Sequence, residues 1–276
     1  MRVAVVGHVE WVQFARVERV PEPGEIVSAV ETWEEPAGGG AVAAVQLANL
    51  NGSVDFYTSL GDDEIALRSR ERLTELGVTV HAGEAGQPQR RAFTYIDSDG
   101  ERTITTLGPK LRPSGEDPSL PWEELVRCDA VYFTGGDVAA VRAARRAKIF
   151  AATSRELPTL HLAAEELDAI IGSSGDAGER FDAIDLDPPP RLVVSTSGAL
   201  GGWIRPGGPF RAATIPGPIE DAYGCGDCFA AGFTFALGAG MPVDEAVALA
   251  ARCGATVLTG RGAYGRQLTA ADVASG

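Results

Sequence analysis

Short apolar runs alternating with longer helix-patterned segments set what this chain can become. The first run is Val3-Ala-Val-Val-Gly7, a continuous apolar stretch of the kind buried on both faces of a parallel sheet. Similar runs stand at Val54-Asp-Phe-Tyr57, Ala130-Val-Tyr-Phe133, Lys148-Ile-Phe-Ala-Ala152 and Leu192-Val-Val-Ser195. Between and after them Ala41 to Leu50, Glu64 to Leu76, Val138 to Ala147, Ala163 to Ile171, Asp227 to Leu237 and Val243 to Leu258 read as helices. This alternation predicts an α/β fold with a mostly parallel sheet wrapped on both faces, and ligands beyond the carboxyl ends of its strands. A chain of 276 residues is expected to form one large domain with an appendage.

Two stretches break the rhythm. Trp11 to Glu35 alternates loosely and is punctuated by Pro21, Pro23 and Gly24, while Ala92 to Leu107 reads as two β runs joined by Asp97-Ser-Asp-Gly100. The second is a hairpin signal. Together, residues 11–35 and 90–107 are expected to form a small discontinuous β lid over the active face. Edge strands of the main sheet are the alternative.

Acidic residues outnumber basic ones 38 to 24, a formal charge of −14. That charge repels polyanions and anionic bilayers, so neither nucleic acid nor membrane is an expected partner, and no apolar stretch reaches the roughly 18 residues of a membrane span. Four cysteines (Cys128, Cys225, Cys228 and Cys253) with no signal-peptide pattern suggest a reducing, cytoplasmic setting without a disulfide framework. His8, His81 and His161 are scattered singly, against a zinc site. The only lysines are Lys110 and Lys148, and neither lies in a G-x-x-x-x-G-K-[ST] phosphate loop.

The chemistry concentrates in Glu220-Asp-Ala-Tyr-Gly-Cys-Gly-Asp-Cys-Phe-Ala-Ala-Gly-Phe233, a glycine-punctuated loop that runs into a small-residue apolar helix. Gly224 and Gly226 clear side chains from a helix start, where free N–H groups and the helix dipole make an anion pocket. Asp227 beside that pocket is either a helix cap or a base that takes a proton from a hydroxyl attacking phosphorus.

This block resembles the second signature of the ribokinase-like sugar kinases of the phosphofructokinase-B type, D-T-x-G-A-G-D-x-F. Other segments are similar in order and spacing: Pro21-Glu-Pro-Gly-Glu25 in the lid, Gly38-Gly-Gly40 at the substrate side, Asp176-Ala-Gly-Glu179, Thr196-Ser-Gly-Ala-Leu-Gly201 and Gly262-Ala263. The resemblance implies a three-layer ribokinase-like sandwich with a small β lid, and ATP- and Mg2+-dependent phosphoryl transfer to an alcohol. It implies Asp227 as general base, an anion hole from the backbone of Gly224, Cys225 and Gly226, and Asp176 and Glu179 near magnesium. Nucleotide contacts would come from Thr196, Gly198, Gly201, Gly262 and Ala263, and substrate contacts from Gly38, Gly39 and Gly40. A small-molecule acceptor and a homodimer through the lids are the implied partners.

Two usual sugar contacts of the family are missing. Val12 stands at the aspartate position and Ala43 at the asparagine position. Glu10 is a candidate replacement for hydroxyl binding, Trp11 for stacking on a ring, and Arg102 for contacting an acidic or phosphorylated substrate. Cys225-Gly-Asp-Cys228 also spells C-x-x-C at a helix start, a position that suits redox chemistry. The rival outside catalysis is a non-catalytic nucleotide or metabolite binder on a kinase-like fold; a nicotinamide dehydrogenase lacks its G-x-G-x-x-G after the first strand.

Overall fold

The computed structural model describes residues 1–181 and 185–275. Its framework is a nine-stranded sheet in the order β13-β12-β11-β10-β9-β8-β1-β4-β5. The strands are β1 (Val3–Val6), β4 (Val54–Leu60), β5 (Val78–Glu84), β8 (Ala130–Phe133), β9 (Ile149–Thr153), β10 (Ala169–Ser173), β11 (Leu192–Thr196), β12 (Gly202–Arg205) and β13 (Gly208–Phe210). All neighbours pair in parallel except β11 with β12 and β12 with β13.

Because side chains alternate along a strand, β1 feeds two cores. Val3 and Val5 join one with α1 (Gly39–Asn51), α2 (Glu64–Glu75), α5 (Cys225–Gly238) and α6 (Val243–Val257). Ala4 and Val6 join the other with α3 (Val138–Ala144) and α4 (Leu157–Ala163). Helix, sheet and helix make the expected three layers.

One expected helix is corrected. Residues 163–171 are not a helix: α4 ends at Ala163, Ala164 takes a left-handed conformation, and Ala169–Ser173 is the parallel strand β10. A short apolar run buried on both sides carries no periodicity that separates strand from helix, and Ala169-Ile-Ile171 is such a run.

The two irregular stretches do join. β2 (Glu10–Arg16), β3 (Glu31–Ala37), β6 (Arg91–Ile96) and β7 (Arg102–Leu107) form a separate four-stranded sheet, order β3-β2-β6-β7, as the lid reading expects. The chain passes from β1 into β2 through Gly7, where a Cβ would come within 2.1 Å of the Thr134 hydroxyl. Glycine is required there by close approach. Phe14 stacks on Trp33 within the small sheet at 4.8 Å and fastens that sheet to the body by meeting Tyr223 edge-on at 5.0 Å.

Phe14 is fully buried, so Phe14→Ala is expected to cost about 3–5 kcal/mol, read as a lower denaturation midpoint. A change below about 1 kcal/mol would show that this joint does not hold the small sheet.

Candidate active site

The strand order reverses between β1 and β8: the chain builds outward through β4 and β5 on one side and through β9 to β11 on the other. A crevice opens at the carboxyl ends of strands at such a point, and His8, Gly39 and Asp227 come together there.

Helix α5 starts at Cys225 behind Gly224, whose φ of 80° is left-handed. A side chain at Gly224 would also meet Val42 at 2.9 Å. The first helical bond runs from the Cys228 N–H to the Gly224 carbonyl, 2.9 Å, so the N–H groups of Cys225, Gly226 and Asp227 lie outside the ladder. A Cβ on Gly226 would find no protein atom within 4 Å. The space above these donors is open, a cradle suited to a phosphate.

Asp227 projects from this first turn, and the cap alternative is not what it does: the cap residue is Gly224, without a side-chain cap bond. Of the three glycines at the start of α1, Gly39 comes against it. A Cβ on Gly39 would stand 2.8 Å from Asp227 Oδ1 and 3.8 Å from His8 Cε1, and one on Gly40 would collide with the His8 backbone. Gly38 donates its N–H to the Tyr223 hydroxyl at 3.2 Å. Burial, then the Glu179 carboxylate, raises the Asp227 pKa to about 6, while Arg102 and Arg155 pull it down.

Asp176 and Glu179 follow β10 and are both held by Arg155, Glu179 at 2.7 Å. Glu179 also accepts the Ser173 N–H at 2.8 Å. Both carboxylates are thus engaged by one guanidinium; one or two carboxylates are the number magnesium usually takes, since it keeps several waters and needs no full protein cage. Among the described residues no cluster of three or more metal-ligating side chains forms such a cage. Thr196 ends β11, and Gly198 and Gly201 take left-handed conformations in the turn beyond it. A Cβ on Gly201 would come 2.1 Å from the Phe210 carbonyl.

Other expected contacts have local partners. Gly262 donates its N–H to Asp221 at 2.6 Å and Ala263 to Glu35 at 3.0 Å, so both shape the loop and neither has a free backbone donor. Arg102 donates to the Ala222 carbonyl at 3.0 Å, which ties the β6–β7 hairpin to the loop before α5. Glu10 is buried and paired with Arg90 at 3.2 Å. Trp11 lies one position out of step with Glu10 and Val12; its ring sits under Arg68, with its N–H on Glu34. Val12 and Ala43 are fully buried in the core.

Burial raises the thiol pKa of Cys225 and lifts that of Cys228 well above its ordinary value. That opposes the thiolate on which redox chemistry depends.

Sequence reasoning missed Asp221, Arg155, Arg90 and Lys110 as parts of this region. Asp221 stood inside the quoted block and was a legible signal; the others become neighbours only through the fold.

A recessed carboxylate beside an anion cradle, at the switch point of a parallel sheet, defines a phosphotransferase class of site. The sequence profile of the pfkB family carbohydrate kinases matches residues 1–156 and 156–270. An "ATP-dependent ribose-1-phosphate kinase" of Halopiger xanaduensis is 28% identical over 95% of this chain and 94% of its own length. A ribokinase of Staphylococcus aureus is 26% identical over 47% of this chain and 44% of its own. The fold is shared with the crystal structure of ribokinase from Thermotoga maritima, TM-score 0.79 at 21% identity over 100% of this chain and 98% of that one. The structure of ribokinase from Giardia lamblia gives a TM-score of 0.81 at 18% identity over 99% and 98%. The chain belongs to the pfkB family of carbohydrate kinases, ATP-dependent phosphotransferases with an alcohol group as acceptor.

The raised pKa has a stability consequence. Between the ordinary Asp value of 3.8 and about 6, the folded chain keeps a proton that the unfolded chain releases, so stability is lost as pH rises through that window. Asp227→Asn is therefore expected to melt above wild type at pH 7 and level with it near pH 4, by calorimetry. A lower Tm at pH 7 would contradict the unfavourable burial of this carboxylate.

Proposed function

We propose that this kinase transfers the γ-phosphoryl group of ATP, with magnesium, to a hydroxyl of a sugar, nucleoside or related small polyol. Asp227 is the general base, and the backbone of Gly224, Cys225 and Gly226 is the anion hole. The observation that carries the reading is the Asp227 carboxylate, with a pKa raised to about 6, placed between the bare N–H groups of α5 and the side-chain-free face of Gly39. A base with a pKa near the working pH is ionised yet still basic enough to accept a proton.

The acceptor hydroxyl gives its proton to Asp227 as its oxygen forms a bond to the γ-phosphorus. The bond from that phosphorus to the β–γ bridging oxygen breaks, and ADP leaves. The N–H groups of Cys225, Gly226 and Asp227 face the charge on the transferred group and, being fixed in advance, need no reorganisation. Asp176 and Glu179, held by Arg155, are the residues that would hold magnesium through water. When bound, the ion neutralises phosphate oxygens.

Thr196, Gly198 and Gly201 line the donor side in this reading, with Gly262 and Ala263 shaping the loop beside them. Gly38, Gly39 and Gly40 form the acceptor floor. Residues 1–276 act as one domain, with the segments 11–35 and 90–107 as lid. A homodimer through the lids is supported by the exposed Ile104 and Leu107 of the edge strand β7. The unpaired cysteines suit a cytoplasmic location. The name of the Halopiger xanaduensis relative adds a phosphorylated pentose to the acceptors to be assayed.

Asp227→Asn is expected to fold and to lower ADP formation with ATP, magnesium and an active acceptor by roughly 10²–10⁴-fold. Activity within about threefold of wild type would remove Asp227 from the mechanism. Because the base acts ionised, wild-type kcat/KM should fall tenfold per pH unit below about pH 6. A profile flat down to pH 4.5 would exclude Asp227 as the group that titrates.

A further inference from the structure

The acceptor end of the recess carries charge that a neutral sugar does not call for. In a chain of net charge −14 with two lysines, one of those lysines is drawn into the switch-point crevice. Lys110 donates to the Thr134 carbonyl at 3.0 Å and to Glu156 at 2.7 Å. Its Cε and Nζ lie 3.3 and 3.4 Å from where a Cβ of Gly135 would stand, and His8 Nδ1 lies 3.7 Å from the same point. Arg112 reaches Glu156 from the other side. Arg90, leading into β6, lies on Glu10 at 3.2 Å, and Glu10 is 3.7 Å from His8 Nε2.

The His8 imidazole thus spans the floor, with Cε1 toward Gly39 and Asp227 and Nδ1 toward Gly135 and Lys110. Burial, with Lys110, Arg90 and Arg112 pushing the same way, keeps that ring neutral. Lys110, Arg90 and Arg112 then face two carboxylates, Glu10 and Glu156, which leaves one positive charge over in this group.

Two buried polar atoms here are also unsatisfied. Arg90 Nε has no hydrogen-bond partner, and His8 Nδ1 lies by Thr134 without a well-directed bond. Buried donors left unpaired are costly and mark places that a ligand completes. The apolar Val12 and Ala43 remove neutral sugar contacts, whereas guanidinium and ammonium groups match an oxyanion.

We propose that the acceptor carries a phosphate monoester in addition to the reacting hydroxyl, and that Arg90, Lys110 and His8 form the pocket for that phosphate, at the opposite end of the floor from Asp227. This rests on the kinase reading. Glu10 and Glu156 hold the two cations in place, so the product is a sugar bisphosphate: the new O–P bond forms at the hydroxyl, its proton passes to Asp227, ADP departs, and the pre-existing phosphate is untouched.

The test uses the full chain with ATP and magnesium, follows ADP release, and compares ribose 1-phosphate, ribose 5-phosphate, D-ribose and D-gluconate. Calorimetric titration of the same compounds accompanies it. Expected is a kcat/KM for one of the two phosphates at least about 100-fold above that for ribose, the size of one or two charge-assisted hydrogen bonds. In Lys110→Met, and in the charge-neutral pair Glu10→Gln with Arg90→Gln, the ratio of phosphorylated to unphosphorylated acceptor should fall roughly 10- to 100-fold. Equal use of ribose, or an unchanged ratio in both variants with melting temperatures intact, overturns the pocket while the kinase stands. Preference for D-gluconate assigns the charge to a carboxylate and overturns the phosphate. Turnover of none of the four overturns the kinase reading for these acceptors; tight calorimetric binding of a sugar phosphate would then still support the pocket, and its absence would overturn that too.

Discussion

The N–H groups at the start of a helix have no partner inside it, and the chemistry proposed for this fold depends on keeping those of α5 bare. A buried carboxylate does the holding. Asp221 is fully buried and accepts from Tyr223 N–H at 2.9 Å and from Gly262 N–H at 2.6 Å. It ties the loop before α5 to the segment after α6, two strands of chain that sequence separates by about forty residues. Burial raises its pKa and the two N–H bonds oppose that rise, so the carboxylate is itself stabilised by the loop it orders. Tyr223, fixed beside it, accepts the Gly38 N–H and so sets the start of α1 against the start of α5.

The small sheet is built into this arrangement. Its hairpin tip bonds to the same loop, Ala222 N–H donating to the Gly100 carbonyl at 2.8 Å and Arg102 to the Ala222 carbonyl, and from the end of β2 Arg16 donates to the Glu220 carbonyl. Arg102 also lowers the pKa of Asp227. Position of the small sheet and acidity of Asp227 are therefore coupled through one stretch of backbone. Electrostatics follow the same economy. Net charge is strongly negative, yet in the proposed mechanism the phosphoryl end takes its positive field from backbone dipoles, and Lys110, Arg90 and Arg112 with the carboxylates of Glu156 and Glu10 stand at the other end of the crevice.

Much of this was legible in the sequence because it is local. The loop-to-helix block carries its glycines and Asp227 within a few residues, so the anion pocket could be read without a fold. The apolar runs announced the parallel strands, and the hairpin residues Asp97 to Gly100 announced β6–β7. The short run at Ala169-Ile-Ile171 was not separable from a helix, since burial on both faces erases the period that distinguishes them. Trp11 against Glu10 shows the same limit in a strand: both looked available to a ligand, and the pleat sends them to opposite faces.

The roles of Gly262, Ala263, Arg102 and Glu10 depend on partners far along the chain, and residue type alone could not say whether their hydrogen-bonding groups were free. By itself the sequence determined the layered α/β fold and the loop-to-helix block in which Asp227 stands beside a glycine-cleared helix start, because each is written in contiguous residues and their spacing. The tertiary structure alone decided that His8, Arg90, Lys110 and Asp227 share one crevice. A switch point brings together the ends of strands that are distant in sequence, and burial there sets which charges are paired and which donors are left open.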